Sequence, residues 1–259
     1  MITNAQIKTV TSLKEKKYRK ELNMFVVEGR KMTGELLKSN YEIINIFGTE
    51  SWLQENDTII RNKHIYEKTV TINNKELCRI SSLKTPDEVL CVVRQKANKN
   101  YDCNLPFYDN KNQLIVALDN INNPGNLGTI IRLCVWFGIK NIICNENTVD
   151  CYNPKVLQST MGAIFHTNLV YTNLYSFLQK YPSKYVYGTV LHNGKNIYTE
   201  KLSSDGVIII GNESHGISDD ILQMINCPIT IPCFANTDEV ESLNASVACG
   251  IILSEFKRR

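Results

Sequence analysis

Gln113-Leu-Ile-Val-Ala-Leu-Asp-Asn-Ile-Asn-Asn-Pro-Gly-Asn-Leu-Gly128 runs from a short apolar segment into a loop of Asn, Pro and Gly, and an apolar helical pattern continues to Phe137. The same succession recurs twice. Val207-Ile-Ile-Ile210 leads into Gly211-Asn-Glu-Ser-His-Gly216, and Ile229-Thr-Ile231 leads into a long loop, 232–244, ahead of the final helical stretch. Open parallel α/β sheets bind ligands outside the carboxyl ends of their strands. Three such loops in one half of a chain therefore predict a single composite site.

Working outward, short apolar strands are expected at 113–118, 141–144, 167–170, 185–190, 207–210 and 229–231, with helices at 127–137, 154–164, 173–180, 218–225 and 244–257. Alternation of this kind makes a parallel sheet covered by helices on both faces. Residues 1–95 read as a smaller mixed α/β domain: a basic helical stretch over 4–21, strands at 24–27, 42–47 and 89–94, and helices at 30–39 and 74–81. Between them, 96–112 is Asn-rich, polar and punctuated by Pro106, the signature of a linker, which leaves 113–259 as the second domain.

Charge divides the same way. Residues 1–100 hold 18 Lys and Arg against 12 Asp and Glu, whereas 101–259 hold 11 against 14. A lobe at +6 beside one at −3 suits a chain whose front grips a polyanion and whose back does chemistry. No apolar run approaches the roughly 18–20 residues of a membrane span, and the first residues lack the pattern of a signal peptide, so a cytoplasmic protein without membrane contact is expected. The nine cysteines include no C-x-x-C pair and the four histidines are scattered, so reduced thiols and no metal site are expected. Dinucleotide-binding, P-loop and nucleophile-elbow motifs are absent.

Within the loops, three features call for explanation. Arg132 is the only charge in an apolar helical segment expected to be buried; either it pairs with a carboxylate such as Glu213 or it faces an anionic substrate. Glu213 sits between two glycines in a loop leaving a buried strand. Ser242 and Asn244 both stand where a helix cap belongs, which leaves one spare for a ligand.

Taken together, Asn123-Pro-Gly-Asn-Leu-Gly-Thr-Ile-Ile-Arg132, Ile210-Gly-Asn-Glu-Ser-His-Gly216 and Ile231-Pro232 followed by Glu241-Ser-Leu-Asn-Ala-Ser-Val-Ala248 resemble the three ordered motifs of the SpoU (TrmH) family of RNA ribose 2′-O-methyltransferases. Pro154-Lys-Val-Leu-Gln-Ser-Thr-Met-Gly-Ala163 is similar to the family's helix between the first two motifs. The front lobe, with Lys16-Lys-Tyr-Arg19 and Phe25-Val-Val-Glu-Gly-Arg-Lys31, is similar to the ribosomal-protein-like substrate-binding domain of ribosomal RNA members. Departures are Ala245 where Val is usual, Cys233 where Met is frequent, and a longer segment at 234–239.

The resemblance implies a SPOUT fold closed by a trefoil knot, S-adenosyl-L-methionine as cofactor, an obligate homodimer and 23S ribosomal RNA as substrate. It assigns Asn126, Arg132, Glu213, Ser242 and Asn244 to catalysis, with Ser246 as another hydrogen-bonding group. Thr189, Gly211, Ile231, Ser242 and Leu243 are implied for the cofactor, and Lys16, Lys17, Arg19, Arg30 and Lys31 are the candidates for RNA contact. Two alternatives stand beside it: a transfer-RNA ribose methyltransferase, and a non-catalytic RNA-binding ribosome-assembly factor.

Overall fold

A computed structural model describes residues 2–96, 113–181, 183–235 and 242–258. The linker expected over 96–112 lies outside the described residues except at Lys96, as do positions 236–241 of the third loop. In chain order the elements begin with α1 (Asn4–Ser12), α2 (Lys16–Leu22), β1 (Met24–Glu28), α3 (Arg30–Lys38), β2 (Ile43–Gly48), α4 (Glu50–Glu55), α5 (Asp57–Asn62), β3 (Thr69–Thr71), α6 (Asn74–Ile80) and β4 (Val89–Arg94). They continue with β5 (Leu114–Leu118), α7 (Pro124–Trp136), β6 (Asn141–Asn145), α8 (Pro154–Thr160), β7 (Asn168–Thr172), α9 (Leu174–Lys180) and β8 (Val186–Thr189). The chain ends through β9 (Lys195–Asn196), β10 (Gly206–Ile210), α10 (Asp219–Leu222), β11 (Cys227–Thr230) and α11 (Ala245–Arg258).

Two compact units result, one of residues 2–96 with Asp150–Phe165 and one of 113–149 with 166–258. The first is built on a sheet ordered β1-β4-β2-β3. Val89, Leu90, Cys91, Val92 and Val93 of β4 are all buried because that strand is central, antiparallel to both β1 and β2. Val10 of α1, Leu13 at its end and Leu77 and Ile80 of α6 pack on Leu90 and Val92. Capping boxes at Thr3/Gln6 and Asn73/Glu76 start those helices by satisfying backbone N–H groups that no earlier turn can.

The basic stretch 4–21 is not one helix. It breaks at 13–15, and the Arg19 side chain folds into the break, donating to the carbonyls of Leu13 at 3.0 Å and Lys14 at 2.7 Å. Its Nε and Nη2 donate to Asp150 Oδ2 at 3.0 and 2.7 Å. Arg19 is 2% exposed with its donors turned inward, so the expectation that it touches RNA is corrected: its cation serves the fold.

Residues 150–165, which the strand–helix alternation assigns to the second domain, thus pack into the first unit. Phe25 lies 4.3 Å from Tyr152 and Tyr41 lies 5.3 Å from Phe165, centroid to centroid. Burial pushes the Tyr41 phenol up to about 12. The short helices α4 and α5 and strand β3 went unseen in the sequence because they carry no long apolar period.

The second unit holds seven strands in the order β7-β6-β5-β10-β8-β11-β9, every neighbouring pair parallel. All five residues of β5 and of β10 are buried, which explains their unbroken apolar runs. From β5 the chain moves outward through β6 and β7, then restarts on the far side at β8. β10 fills the place between β5 and β8. The order reverses there, and crevices at such switch points receive ligands.

Arg19→Ala removes a buried cation and leaves Asp150 and two carbonyls without their donors. It should lower stability by roughly 3–5 kcal/mol, the usual effect of breaking one side of a buried ion pair. Urea denaturation checks this, and a variant unfolding at the parent midpoint would contradict the clamp.

Candidate active site

The three loops leave β5, β10 and β11, with β8 between the last two. At the first, Asn123 caps α7, its Oδ1 accepting from the Gly125 N–H at 2.8 Å and the Asn126 N–H at 3.3 Å, while Pro124 occupies a first-turn position where no N–H is needed. The helix thereby begins with Asn126 buried, at 7% exposure. Asn126 Nδ2 donates to Glu213 Oε1 at 2.7 Å in the second loop. Asn244 Nδ2, from the third loop, donates to Asn126 Oδ1 at 3.0 Å. Asn244 Oδ1 in turn accepts from the Ser246 N–H at 2.9 Å and the Ser246 hydroxyl at 2.7 Å, which caps α11.

The second loop is a tight turn. Asn212 and Gly216 exchange two backbone hydrogen bonds of 2.8 and 3.0 Å. Asn212 Oδ1 accepts from the N–H groups of Ser214 at 2.9 Å and His215 at 3.1 Å. Gly216 takes φ +69, and a Cβ on Gly211 would lie 2.4 Å from the Gly216 carbonyl carbon. No side chain fits at Gly211, so the turn closes on bare backbone.

Arg132 corrects one expectation. Helix α7 buries Leu127, Ile130, Ile131 and Cys134, but Arg132 is exposed and Trp136 is 83% exposed, so the helix is not buried all round. Glu213 does not pair with Arg132; its carboxylate receives Asn126 instead. Among the described residues, the Arg132 side chain makes no ion pair or hydrogen bond, which leaves its guanidinium available to an anionic ligand.

Thr189 ends β8 and is half-buried, as are Gly211 after β10 and Ile231 after β11. Ser242 and Leu243 are exposed ahead of α11. Leu191, Phe234 and Leu243, large apolar side chains on the loops after β8 and β11, are 60%, 83% and 47% exposed. Thr230 Oγ1 donates to the Leu191 carbonyl at 3.2 Å, which ties two of these strand ends together. A rim of backbone edges and uncharged side chains fits a neutral aromatic-bearing group such as an adenosine, and among the described residues no cluster of His, Cys, Asp or Glu is placed to hold a metal ion.

The front-lobe candidates separate. Lys16, Lys17 and Lys31 are exposed. Arg30 is also exposed but is held between the carboxylates of Glu88 and Glu55, whose hydrogen bonds raise its pKa above the ordinary value, so it is no free phosphate ligand. Of the described cysteines, 91, 134, 144, 151 and 249 are buried and 78 and 233 are exposed. The sequence reading did not single out Asp119, whose carboxylate accepts from the Ser218 N–H and hydroxyl at 2.7 Å, or Asn212, whose Nδ2 donates to the Asn120 carbonyl at 2.7 Å. A charge placed directly after a five-residue apolar strand was the available signal for Asp119.

These features define an α/β enzyme domain whose site is assembled from loops at a topological switch point, joined to a basic α/β unit. A model of the SpoU rRNA Methylase family matches residues 113–254, and one of an MRM3-like substrate binding domain matches 4–91. The chain belongs to the SpoU rRNA methylase family. It is 26% identical over 256 residues to the 23S rRNA (guanosine(2553)-2′-O)-methyltransferase RlmP of Bacillus subtilis, covering 98% of this chain and 96% of that one. A solved structure from Porphyromonas gingivalis, assigned to the TrmH family, superposes with a TM-score of 0.86 at 30% identity over 100% of this chain and 99% of its own. The AdoMet-bound rRNA methyltransferase of Sinorhizobium meliloti superposes with a TM-score of 0.84 at 26% identity, covering 100% of this chain and 96% of that chain.

Proposed function

We propose that this chain transfers the methyl group of S-adenosyl-L-methionine to a ribose 2′-hydroxyl of ribosomal RNA, with 23S rRNA the favoured substrate. The observation that carries the reading is the Glu213–Asn126–Asn244 hydrogen-bond relay, which joins all three loops at the switch point. Full-length likeness to relatives named for ribosomal RNA supports the substrate class, and no observation favours a transfer RNA.

When bound, S-adenosyl-L-methionine supplies a methyl already activated on a sulfonium. The backbone at Gly211 and Ile231, with Thr189, Ser242 and Leu243, forms its wall. Positioning then supplies much of the rate. Asn126 and Asn244 are fixed by the relay and orient the nucleotide. Arg132, exposed and with its side chain unpaired among the described residues, contacts the nucleotide; a guanidinium carries only donors and is a poor proton acceptor, so it stabilises the developing alkoxide or an adjacent phosphate. The insertion of β10 between β5 and β8 is consistent with the trefoil knot implied by the three motifs.

The chain works as a homodimer in this reading, supported by α7 and α11, which pack on each other and leave the apolar Trp136 and Val247 exposed at 83% and 51%. A second copy of the same face would cover them in a two-fold pair. The enzyme works in the cytoplasm with its RNA; no helix of the described residues is long and apolar enough to cross a membrane.

The chain incubated with 23S rRNA and labelled S-adenosyl-L-methionine should transfer label to a ribose, and Arg132→Ala should lower transfer at least about 100-fold, the scale of losing one charge-stabilising donor, while cofactor affinity stays at the parent value. Parent-like turnover in that variant would remove Arg132 from the site. Replacing Lys16, Lys17 and Lys20, the last an exposed neighbour on the same short helix, together by Ala should weaken RNA binding and flatten its salt dependence by roughly 0.7–0.9 logarithmic unit for each phosphate left unneutralised; an unchanged slope in an anisotropy series would move the RNA path elsewhere. Sedimentation should give a dimer mass for the parent and a monomer mass for Trp136→Glu. A monomeric parent would overturn the two-fold pair.

A further inference from the structure

We infer that Asp119 is a positioning residue for the reaction, its buried carboxylate fixing the second loop and thereby the aim of Glu213 at Asn126; this rests on the methyl-transfer reading above. Asp119 directly follows β5 and is fully buried. Its Oδ2 accepts from both the N–H and the hydroxyl of Ser218 at 2.7 Å, and its Oδ1 accepts from the side-chain amides of Asn120 and Asn145, each at 2.9 Å. All four donors are neutral, and among the described residues no Lys, Arg or His pairs with it. Burying a carboxylate without a cation is costly even when its oxygens are satisfied. A group retained at such a cost for stability alone would be better replaced by an apolar one.

What the carboxylate touches explains its retention. Ser218 begins α10 but spends no hydroxyl on capping it; the hydroxyl goes to Asp119 and pins the exit of the second loop. The entrance is pinned next door, where the Asn120 carbonyl accepts from Asn212 Nδ2 at 2.7 Å. Asn120 holds that carbonyl in place from a left-handed backbone, φ +57, with its own Oδ1 buried and without a hydrogen-bond partner among the described residues, an arrangement that costs stability. Asn212 then organises the N–H groups of the consecutive Ser214 and His215 within its turn. Both ends of the turn bearing Glu213 are therefore fastened to the first loop at positions 119 and 120, while Glu213 itself meets that loop at Asn126.

The test compares the parent, Asp119→Asn, Glu213→Ala and the double variant in steady-state methyl transfer. Asn keeps the shape but sets an NH₂ group against two donors. Asp119→Asn should lower kcat about 10- to 100-fold, the usual effect of losing a group that orients a reacting one, with KM for RNA within about twofold of the parent. In the Glu213→Ala background it should cause no further loss, because its route runs through Glu213. Parent kcat in Asp119→Asn, or a double variant showing the product of the two losses, would overturn the assignment. Should Asp119→Asn fail to fold, Asn212→Ala cuts the same route from the other side with the same two expectations. Hydrogen exchange gives an answer independent of catalysis: the Ser218 and Ser214 amides should exchange at least about tenfold faster in either variant, and parental exchange would overturn the clasp. A parent that transfers no methyl would refute the reaction, and the exchange result would still decide the clasp.

Discussion

One carboxylate sets the direction of a chain of amides on which the site depends. A carboxylate only accepts, so Asn126 must turn its amide nitrogen to Glu213, and its oxygen is then free to receive Asn244. The backbone N–H of Ser246 can only donate, so Asn244 must offer it oxygen and turn its nitrogen to Asn126. The two ends agree, and neither amide can flip without breaking two bonds. Three loops separated by 87 and 118 residues are locked into one geometry by groups whose polarity leaves no second solution.

That lock is useful only because the sheet brings the loops together. Placing β10 between β5 and β8 puts the ends of β5, β10, β8 and β11 side by side. Gly211 and Gly216 let the middle turn close without side chains, and Asn123 and Asn244 cap the two helices that receive the outer loops. Asp119, Asn126 and Ser246 are buried polar residues of these loops and the helix starts they feed, and each is hydrogen-bonded to another polar group of the loops.

The architecture of the second unit was legible because strands buried on both faces read as unbroken apolar runs, as in Leu114–Leu118 and Gly206–Ile210. Glu213 stood out as a carboxylate in a glycine-flanked loop and Asn244 as a helix-cap candidate, whereas Asn126 was marked only by the family resemblance. Strand order was not, since periodicity is blind to which strand is inserted between which. Arg19 sits in a run that reads as a solvated helix face, and its partner Asp150 lies 131 residues away. Helix α7 looked buried all round because its outer side carries the exposed Trp136 and the half-buried Val135, residues whose type hides their environment. Asp119 escaped notice for the converse reason: four neutral donors, none next to it in a recognisable motif except Asn120, satisfy its charge.

Mapping ribose methylation across the ribosomal RNA of cells with and without this chain tests the account most directly. A 2′-O-methyl group at a position in 23S rRNA should be absent without the chain, return with the parent and stay absent with Arg132→Ala. An identical methylation map in all three strains would contradict the account.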